Sequence, residues 1–311
     1  MPNFVNMIHS TKLRIILEKF MRNFINIAII GRRNSAHLIE QVSKLAACLI
    51  ALGCRVYIDS GIADEQFCPA YSYSSLEDWV GEIDLAISIG GDGTMLSVGR
   101  AIVNYGIPVV GVNQGKLGFM TDIAVEEMLD VISTMILEHK YVEEERSLLS
   151  AQVIRNGLVV NQALALNDIV LSRGAIGMMT EFEMSINNEF VQKQKSDGVI
   201  FATPTGSTAY SLAAGGPILH PHSKVFAIVP ICPQSMSNRP IVISDEAMIE
   251  LNLISDNMTI LHYDGQEYFN LNQYDHVVIS KSERPLRLLH PMDYNYYNTL
   301  RSKLDWSKRV S

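Results

Sequence analysis

The sequence predicts an α/β domain built on a parallel sheet, followed by a β-rich domain, with a helical C-terminal tail that packs back on the first. Three observations carry this expectation. In the first half, short apolar runs alternate with longer helix-period stretches. Beyond about Glu145 the apolar period shortens to two, and from Met292 it returns to helical. The domain bounds that follow are an N-terminal extension over 1–22, the α/β domain over 23–145, the β-rich domain over 146–285 and the tail over 286–311.

Each element has a local reason. A strand over 25–30 is closed by Gly31, a helix follows over about 35–52, and Gly53 reads as its stop signal before a second strand over 55–58. A polar Tyr/Ser segment and a short helix at Trp79 lead into a strand over 85–89, a helix over 95–104 and a strand over 108–112. Strands separated by helices imply a parallel sheet covered on both faces. In the second half, two-residue alternation marks strands over 150–154, 158–162, 168–172, 180–186 and 189–194, with Asn156-Gly157 and Asn187-Asn188 as hairpin turns. Further strands are read over 198–202, 225–230, 241–244, 249–254, 259–263 and 277–281. Glu143-Glu144-Glu145 reads as a solvated linker face, and Met178-Met179 as core filling.

Composition narrows the function classes. Of 311 residues, 48% are hydrophobic and 19% charged, as in a compact folded protein. A net charge of −8 argues against a nucleic-acid partner, which would need a basic face. No apolar run is long enough to span a membrane, and the cationic first 22 residues lack a cleavage-site pattern. Cys48, Cys54, Cys68 and Cys232 form no C-x-x-C pair, so a reducing cytoplasm is expected and no protein-bound metal. The eight histidines are scattered, and His220 and His222 read as solvated loop residues.

Two stretches carry chemistry. Gly90-Gly91-Asp92-Gly93-Thr94 stands directly after a buried strand and directly before a helix. Glycines let an anion approach the backbone, and the free N–H groups of a helix start supply donors, so Gly90, Gly91, Gly93 and Thr94 are expected to bind phosphate. Asp92 is anomalous in such a turn. Its carboxylate would repel phosphate unless it bridges through Mg²⁺ or acts on a hydroxyl proton, which points to phosphoryl transfer to an alcohol. The plain alternative is a tight turn in which Asp92 only caps the helix. The second stretch runs from Asp197 through Thr203-Pro204-Thr205-Gly206-Ser207-Thr208-Ala209-Tyr210 to Pro217. There a buried strand ends in a hydroxyl-rich turn that starts a helix, which suits a polyhydroxylated aromatic ligand with Tyr210 available for stacking.

In these two stretches, and at Gly115-Lys116-Leu117-Gly118-Phe119, Asn167-Asp168-Ile169-Val170, Ser237-Asn238-Arg239-Pro240 and Asp264-Gly265-Gln266, the chain resembles the bacterial NAD kinases over nearly its whole length. His290-Pro291-Met292-Asp293-Tyr294 and Lys303-Leu304-Asp305-Trp306-Ser307-Lys308 resemble the tail of the proteobacterial members. The resemblance implies Mg²⁺-dependent transfer of the terminal phosphoryl group of ATP to the 2′-hydroxyl of the adenosine ribose of NAD, giving NADP. It also implies a homodimer or homotetramer. By the same resemblance Asp92 is the proton acceptor and a substrate contact, Gly93 gives the ribose a close approach, and Phe119 lies among the substrate-binding residues. Asn167 and Asp168 bind the adenosine portion, where Glu is commoner than Asp168. Lys195 and Asp197 face the nicotinamide half, Thr208, Ala209, Tyr210, Ser211, Leu212 and Ala213 form the adenine-side turn, and Gln266 adds a further contact. Gln234 stands where His is common. Two other readings share some of these features: a lipid kinase, which would not call for the turn over 203–210, and a nucleotide sensor, which would have little use for Asp92.

Overall fold

A computed structural model of the chain describes residues 24–31, 36–62, 72–74, 76–79, 81–115, 117–174 and 178–306. The extension expected over 1–22 lies outside them, as does Lys116. The chain divides into two compact units. Met1–Val98, Ile107–Glu143 and Leu288–Ser311 form one, and Gly99–Gly106 with Glu144–Arg287 form the other.

The first unit is built on an eight-stranded sheet. Strands β1 (Asn26–Gly31), β2 (Arg55–Asp59), β3 (Ser72–Ser74), β4 (Leu85–Gly90) and β5 (Val109–Asn113) stand in the order β3-β2-β1-β4-β5. The sheet continues through Leu286–Pro291 to Tyr141–Arg146, and β1 runs parallel to both β2 and β4, β4 to β5, and Leu286–Pro291 to β5. β4 and β5 are buried along their whole lengths, which is why they read as unbroken apolar runs instead of alternating ones. Helix Ala36–Ala51 lays Leu38, Val42, Leu45 and Leu49 on a core with Ile27, Ile29 and Ile58, the stripe that a 3.6-residue period produces.

The tail contains more than the helix its pattern announced. It opens with the strand Leu286–Pro291, which sits inside the sheet, and only then forms the helix Tyr296–Lys303. Pro285 and Pro291 bracket that run, and a proline normally argues against a central strand. Here both fall at its ends, where the missing N–H matters least.

The second unit holds two six-stranded antiparallel sheets, whose facing residues, among them Phe182, Val199, Phe201, Phe226, Leu251 and Leu261, share one core. Asn156 and Gly157 have φ of 53° and 78°, and Asn187 and Asn188 of 52° and 65°, the left-handed pairs that tight hairpin turns need. The outer face of one sheet carries a second cluster, Val170, Ile200, Ala202, Ala227 and Val229, against which Ala214 and Leu219 pack. Two expectations fail in this part of the chain. Glu144 is not solvated: in the strand Tyr141–Arg146 it alternates inward with Arg146, only 5% and 2% exposed, and the pair is joined at 2.7 Å. Met178, expected in the core, is exposed: it stands just before the strand Thr180–Ile186 begins, outside the sheet.

Candidate active site

In the first unit the strand order changes direction between β1 and β4, and in open parallel sheets ligands gather at the carboxyl ends of strands beside such a switch point. Gly90 ends β4 there. The helix Asp92–Ile102 starts at once, with Gly91 O accepting from Thr94 N at 3.0 Å, so Asp92 belongs to the first helical turn, three residues before the expected helix start. A carboxylate in that position is favoured by the free N–H groups of the helix start. Phe119 N donates to Asp92 Oδ2 at 2.8 Å, while Met120 N and Thr121 Oγ1 donate to Oδ1 at 3.0 and 3.3 Å. Those donors come from one loop, whose approach depends on glycine. A Cβ at Gly118 would collide with Asp92 Oδ1 and Thr121 Oγ1, and one at Gly90 with the Thr94 side chain. Asn113, at the end of β5, fixes the loop from beneath by donating to Thr121 Oγ1 at 2.9 Å and accepting from Gly115 N at 2.6 Å. The result is a cavity of about 370 Å³ lined by Gly91, Asp92, Asn113, Gln114, Gly115, Gly118 and Lys303. Gly93 is exposed on the helix start, and Thr94 and Phe119 are half-buried.

A second cavity, of about 400 Å³, lies in the second unit and is lined by Asn167, Asp168, Val170, Ser172, Ala209, Tyr210, His262, Asp264 and Gly265. Asp168, Val170 and Ser172 are alternate residues of the strand Asp168–Arg173, so all three face the cavity while Ile169 and Leu171 enter the core. Val170 pairs in register with His262, which brings the imidazole to the same face with its Nε2 3.1 Å from Ser172 Oγ. Asp264 and Gly265 form a left-handed turn, with φ of 54° and 63°. The Asp264 carboxylate offsets that unfavourable conformation by accepting from Leu166 N, Asn167 N and Asp168 N at 3.1, 2.7 and 3.2 Å. Arg100 closes the network with a 2.6 Å bond to Asp264 Oδ2 and a 2.9 Å bond to Glu267. Burial first, and then the neighbouring Asp264 carboxylate, push the Asp168 carboxyl from about 3.8 up to about 7. Burial likewise lowers the His262 pKa, favouring a neutral ring.

The turn over 203–210 supplies the cavity's other wall by inward bonding. Thr203 Oγ1 donates to Leu166 O at 2.5 Å and Ser207 Oγ to Pro204 O at 2.6 Å, while Arg146, paired to Glu144, donates to Thr205 Oγ1 at 3.2 Å. Gly206 lies so close to the Asn167 backbone that a Cβ would overlap it. Of the turn's hydroxyl residues, Thr203, Thr205 and Ser207 are buried and hold the turn together instead of lining the cavity. What the turn presents to the cavity is Ala209 and Tyr210, the latter 49% exposed.

Both halves of the chain match known domains. Residues 27–141 match the ATP-NAD kinase N-terminal domain and residues 166–291 the ATP-NAD kinase C-terminal domain. This chain belongs to the ATP-NAD kinase family. It is 48% identical over 289 residues to the NAD kinase of Chromobacterium violaceum, covering 93% of this chain and 99% of that protein. It is 44% identical to that of Laribacter hongkongensis, covering 92% and 98%. Among solved structures, the yeast NADH kinase complexed with NADH superposes with a TM-score of 0.83 at 25% identity, covering 93% of this chain and 90% of that one. An NAD kinase from Archaeoglobus fulgidus in complex with ATP shares the fold, with a TM-score of 0.72 at 23% identity and coverage of 90% and 99%. NAD kinases are phosphotransferases, and this chain is an enzyme of that class.

The other family-matched positions are spread over separate places. Lys195 lines a third cavity in the second unit with Glu181, Lys193, Gln194, Gln234, Ser235 and Asn238, and Gln234 N donates to Lys195 O at 2.8 Å. Asp197 is paired with Arg173 at 3.0 Å and not with Lys195. Thr208 donates to Thr205 O at 3.2 Å, and the Gln266 side chain accepts from Arg100 at 3.1 Å. Ser211 is fully buried with its hydroxyl beneath Gly216, outside the cavity lining, while Leu212 is half-buried and Ala213 exposed. His222, read as a solvated loop residue, is exposed yet brings Nε2 to 3.0 Å from the buried Glu144. The residues not anticipated are Val170, Ser172, His262, Arg100, Asn113 and Lys303. The first two were open to strand alternation from Asp168, and Lys303 stands in the family-like tail without a role having been read for it; His262, Arg100 and Asn113 come from distant segments and left no local signal.

Proposed function

We propose that the protein transfers the terminal phosphoryl group of ATP to the 2′-hydroxyl of the adenosine ribose of NAD, with Asp92 as proton acceptor. The observation that carries this reading is the Asp92 carboxylate held from one side by three donors of a single loop, at a glycine-flanked helix start on the switch point of a parallel sheet. A carboxylate locked in place loses little entropy on meeting a hydroxyl, and alignment of the attacking oxygen is the main task of a phosphoryl-transfer enzyme. Asp92 takes the 2′-hydroxyl proton as that oxygen forms its bond to the γ-phosphorus and ADP leaves. Gly90, Gly91, Gly93 and Thr94 give phosphate oxygens a close approach at the helix start, although Thr94 N is itself bonded to Gly91 O. The cavity of Asn167, Asp168 and Tyr210 takes the adenosine portion, with Tyr210 stacking on the base, and Lys195 and Asp197 meet the nicotinamide half.

Among the described residues no three His, Cys, Asp or Glu side chains converge on a point. The cavity at Asp92 offers one carboxylate already bonded to its loop, which fits Mg²⁺ carried on the triphosphate and not one caged by protein. Bound there, Mg²⁺ neutralises charge on the phosphates. No helix among the described residues is long and apolar enough to cross a membrane, and the reading places the enzyme in the cytoplasm, without membrane or nucleic-acid partners. It works as a homodimer or homotetramer. Support for assembly comes from Leu158 and Phe190, 70% and 65% exposed on the two opposite edge strands of one sheet. The deciding assay incubates purified protein with NAD, Mg²⁺ and each candidate phosphate donor in turn, and detects NADP with an NADP-specific dehydrogenase. NADP formed with ATP supports the reading; its absence with every donor overturns it.

A further inference from the structure

We propose that Lys303 binds the phosphate chain of the phosphoryl donor, so that the C-terminal helix Tyr296–Lys303 supplies part of the site around Asp92. The proposal rests on the reading of that site as a phosphoryl-transfer centre and adds a residue to it.

A polyphosphate entering the cavity beside the Asp92 carboxylate meets a repulsion that needs a cation to offset it. The loop's own donors are largely occupied: Phe119 N and Met120 N bond Asp92, and Gly115 N bonds Asn113 Oδ1. Of the described residues lining the cavity, only Lys303 carries a positive charge. No carboxylate among the described residues forms an ion pair with it, so its ammonium is available to an incoming anion.

The helix is built to aim this side chain. Asn295 caps it, its Oδ1 accepting from Asn298 N at 3.1 Å, and Thr299 and Leu300 are buried at 4% and 3% exposure. Lys303 follows those two anchors by four and three residues, the spacings that share a helix face. Its stem therefore leaves the helix on the side that packs against the unit, and Lys303 lines the cavity while staying exposed. A cation in the last turn also complements the helix dipole, and that purely structural role is what the test must separate.

Lys303→Ala should raise KM for ATP roughly 10- to 100-fold, the loss typical of one charge-assisted bond to phosphate, and leave KM for NAD within about twofold. Lys303→Arg should recover most of the difference, because it restores the charge. A readout independent of turnover is inorganic tripolyphosphate, titrated calorimetrically into the wild type and Lys303→Ala; affinity should fall by a similar factor. Wild-type protein that binds tripolyphosphate through Lys303 but makes no NADP would sustain this proposal and overturn the assigned reaction. An unchanged KM for ATP together with unchanged tripolyphosphate affinity in Lys303→Ala overturns it. So does a matched rise in both KM values accompanied by a lowered melting temperature, which assigns Lys303 to helix stability alone.

Discussion

At the scale of single residues, two carboxylates have opposite environments and give opposite tests. Asp92 is held by three donors and stands half-buried at a cavity, so Asp92→Asn keeps the shape and removes the proton acceptor. Its kcat should fall by roughly 10² to 10⁴ with NAD affinity little altered, and near-normal turnover would remove Asp92 from the role of base. Asp168 is instead raised to about 7 by burial and by Asp264. A carboxyl raised in the folded state contributes stability that is complete below its ordinary pKa near 4 and disappears as pH climbs through 7. Asp168→Asn should escape that loss, so its melting temperature relative to wild type should improve between pH 5 and pH 8. Parallel curves would mean that Asp168 titrates in its usual range. Asp92 was legible in the sequence because its glycine neighbours gave it a context that allows few explanations. Arg100 was not: it belongs to no motif, and although Asp264 stands in the Asp264-Gly265-Gln266 segment, their 2.6 Å pairing joins a helix to a turn 164 positions away, which no local pattern encodes.

Among elements, the turn over 203–210 shows how a motif can be located and yet misread in detail. Its composition announced a turn, and its order marked a site, but hydroxyl-rich segments do not declare which way their hydroxyls point. Burial of Thr203, Thr205 and Ser207 makes them the turn's framework, leaving Tyr210 as the group offered outward. Truncating Tyr210 to Ala should then raise KM for NAD by an amount corresponding to about 1 kcal/mol or more of lost stacking and apolar contact, with KM for ATP steady and the Phe variant mild. Its 49% exposure argues that the melting temperature will hardly move. An NAD affinity unchanged in folded Tyr210→Ala would end the ligand-contact role. The acidic run at 143–145 failed for a related reason. Charge runs are usually solvated, but in a strand every second residue turns inward, and Arg146 two positions along gives Glu144 a partner.

For the molecule as a whole, the fold class could be read from periodicity because the two domains use different periods, 3.6 and 2. Chelation probes the entire protein at once. If Mg²⁺ arrives with the triphosphate, EDTA should abolish NADP formation while the melting temperature stays where it was, and a large fall would reveal a structural metal. The feature that periodicity could not convey was the return of the chain. Leu286–Pro291 lies between β5 and the strand that opens at Tyr141, more than a hundred residues earlier in the chain. On the ribosome, Tyr141–Arg146 therefore emerges well before its neighbour in the sheet exists, and at synthesis rates of about 5–20 residues per second it waits several seconds or longer. During that interval Val109 and Val110 of β5 lack their partners Leu288 and Leu289, which leaves part of a strand edge open in a nascent chain, the kind of surface chaperones bind. Completion of the first sheet thus waits for synthesis of Leu286–Pro291, and a nonsense mutation between Lys281 and Leu286 would leave the strand that joins β5 to Tyr141–Arg146 missing.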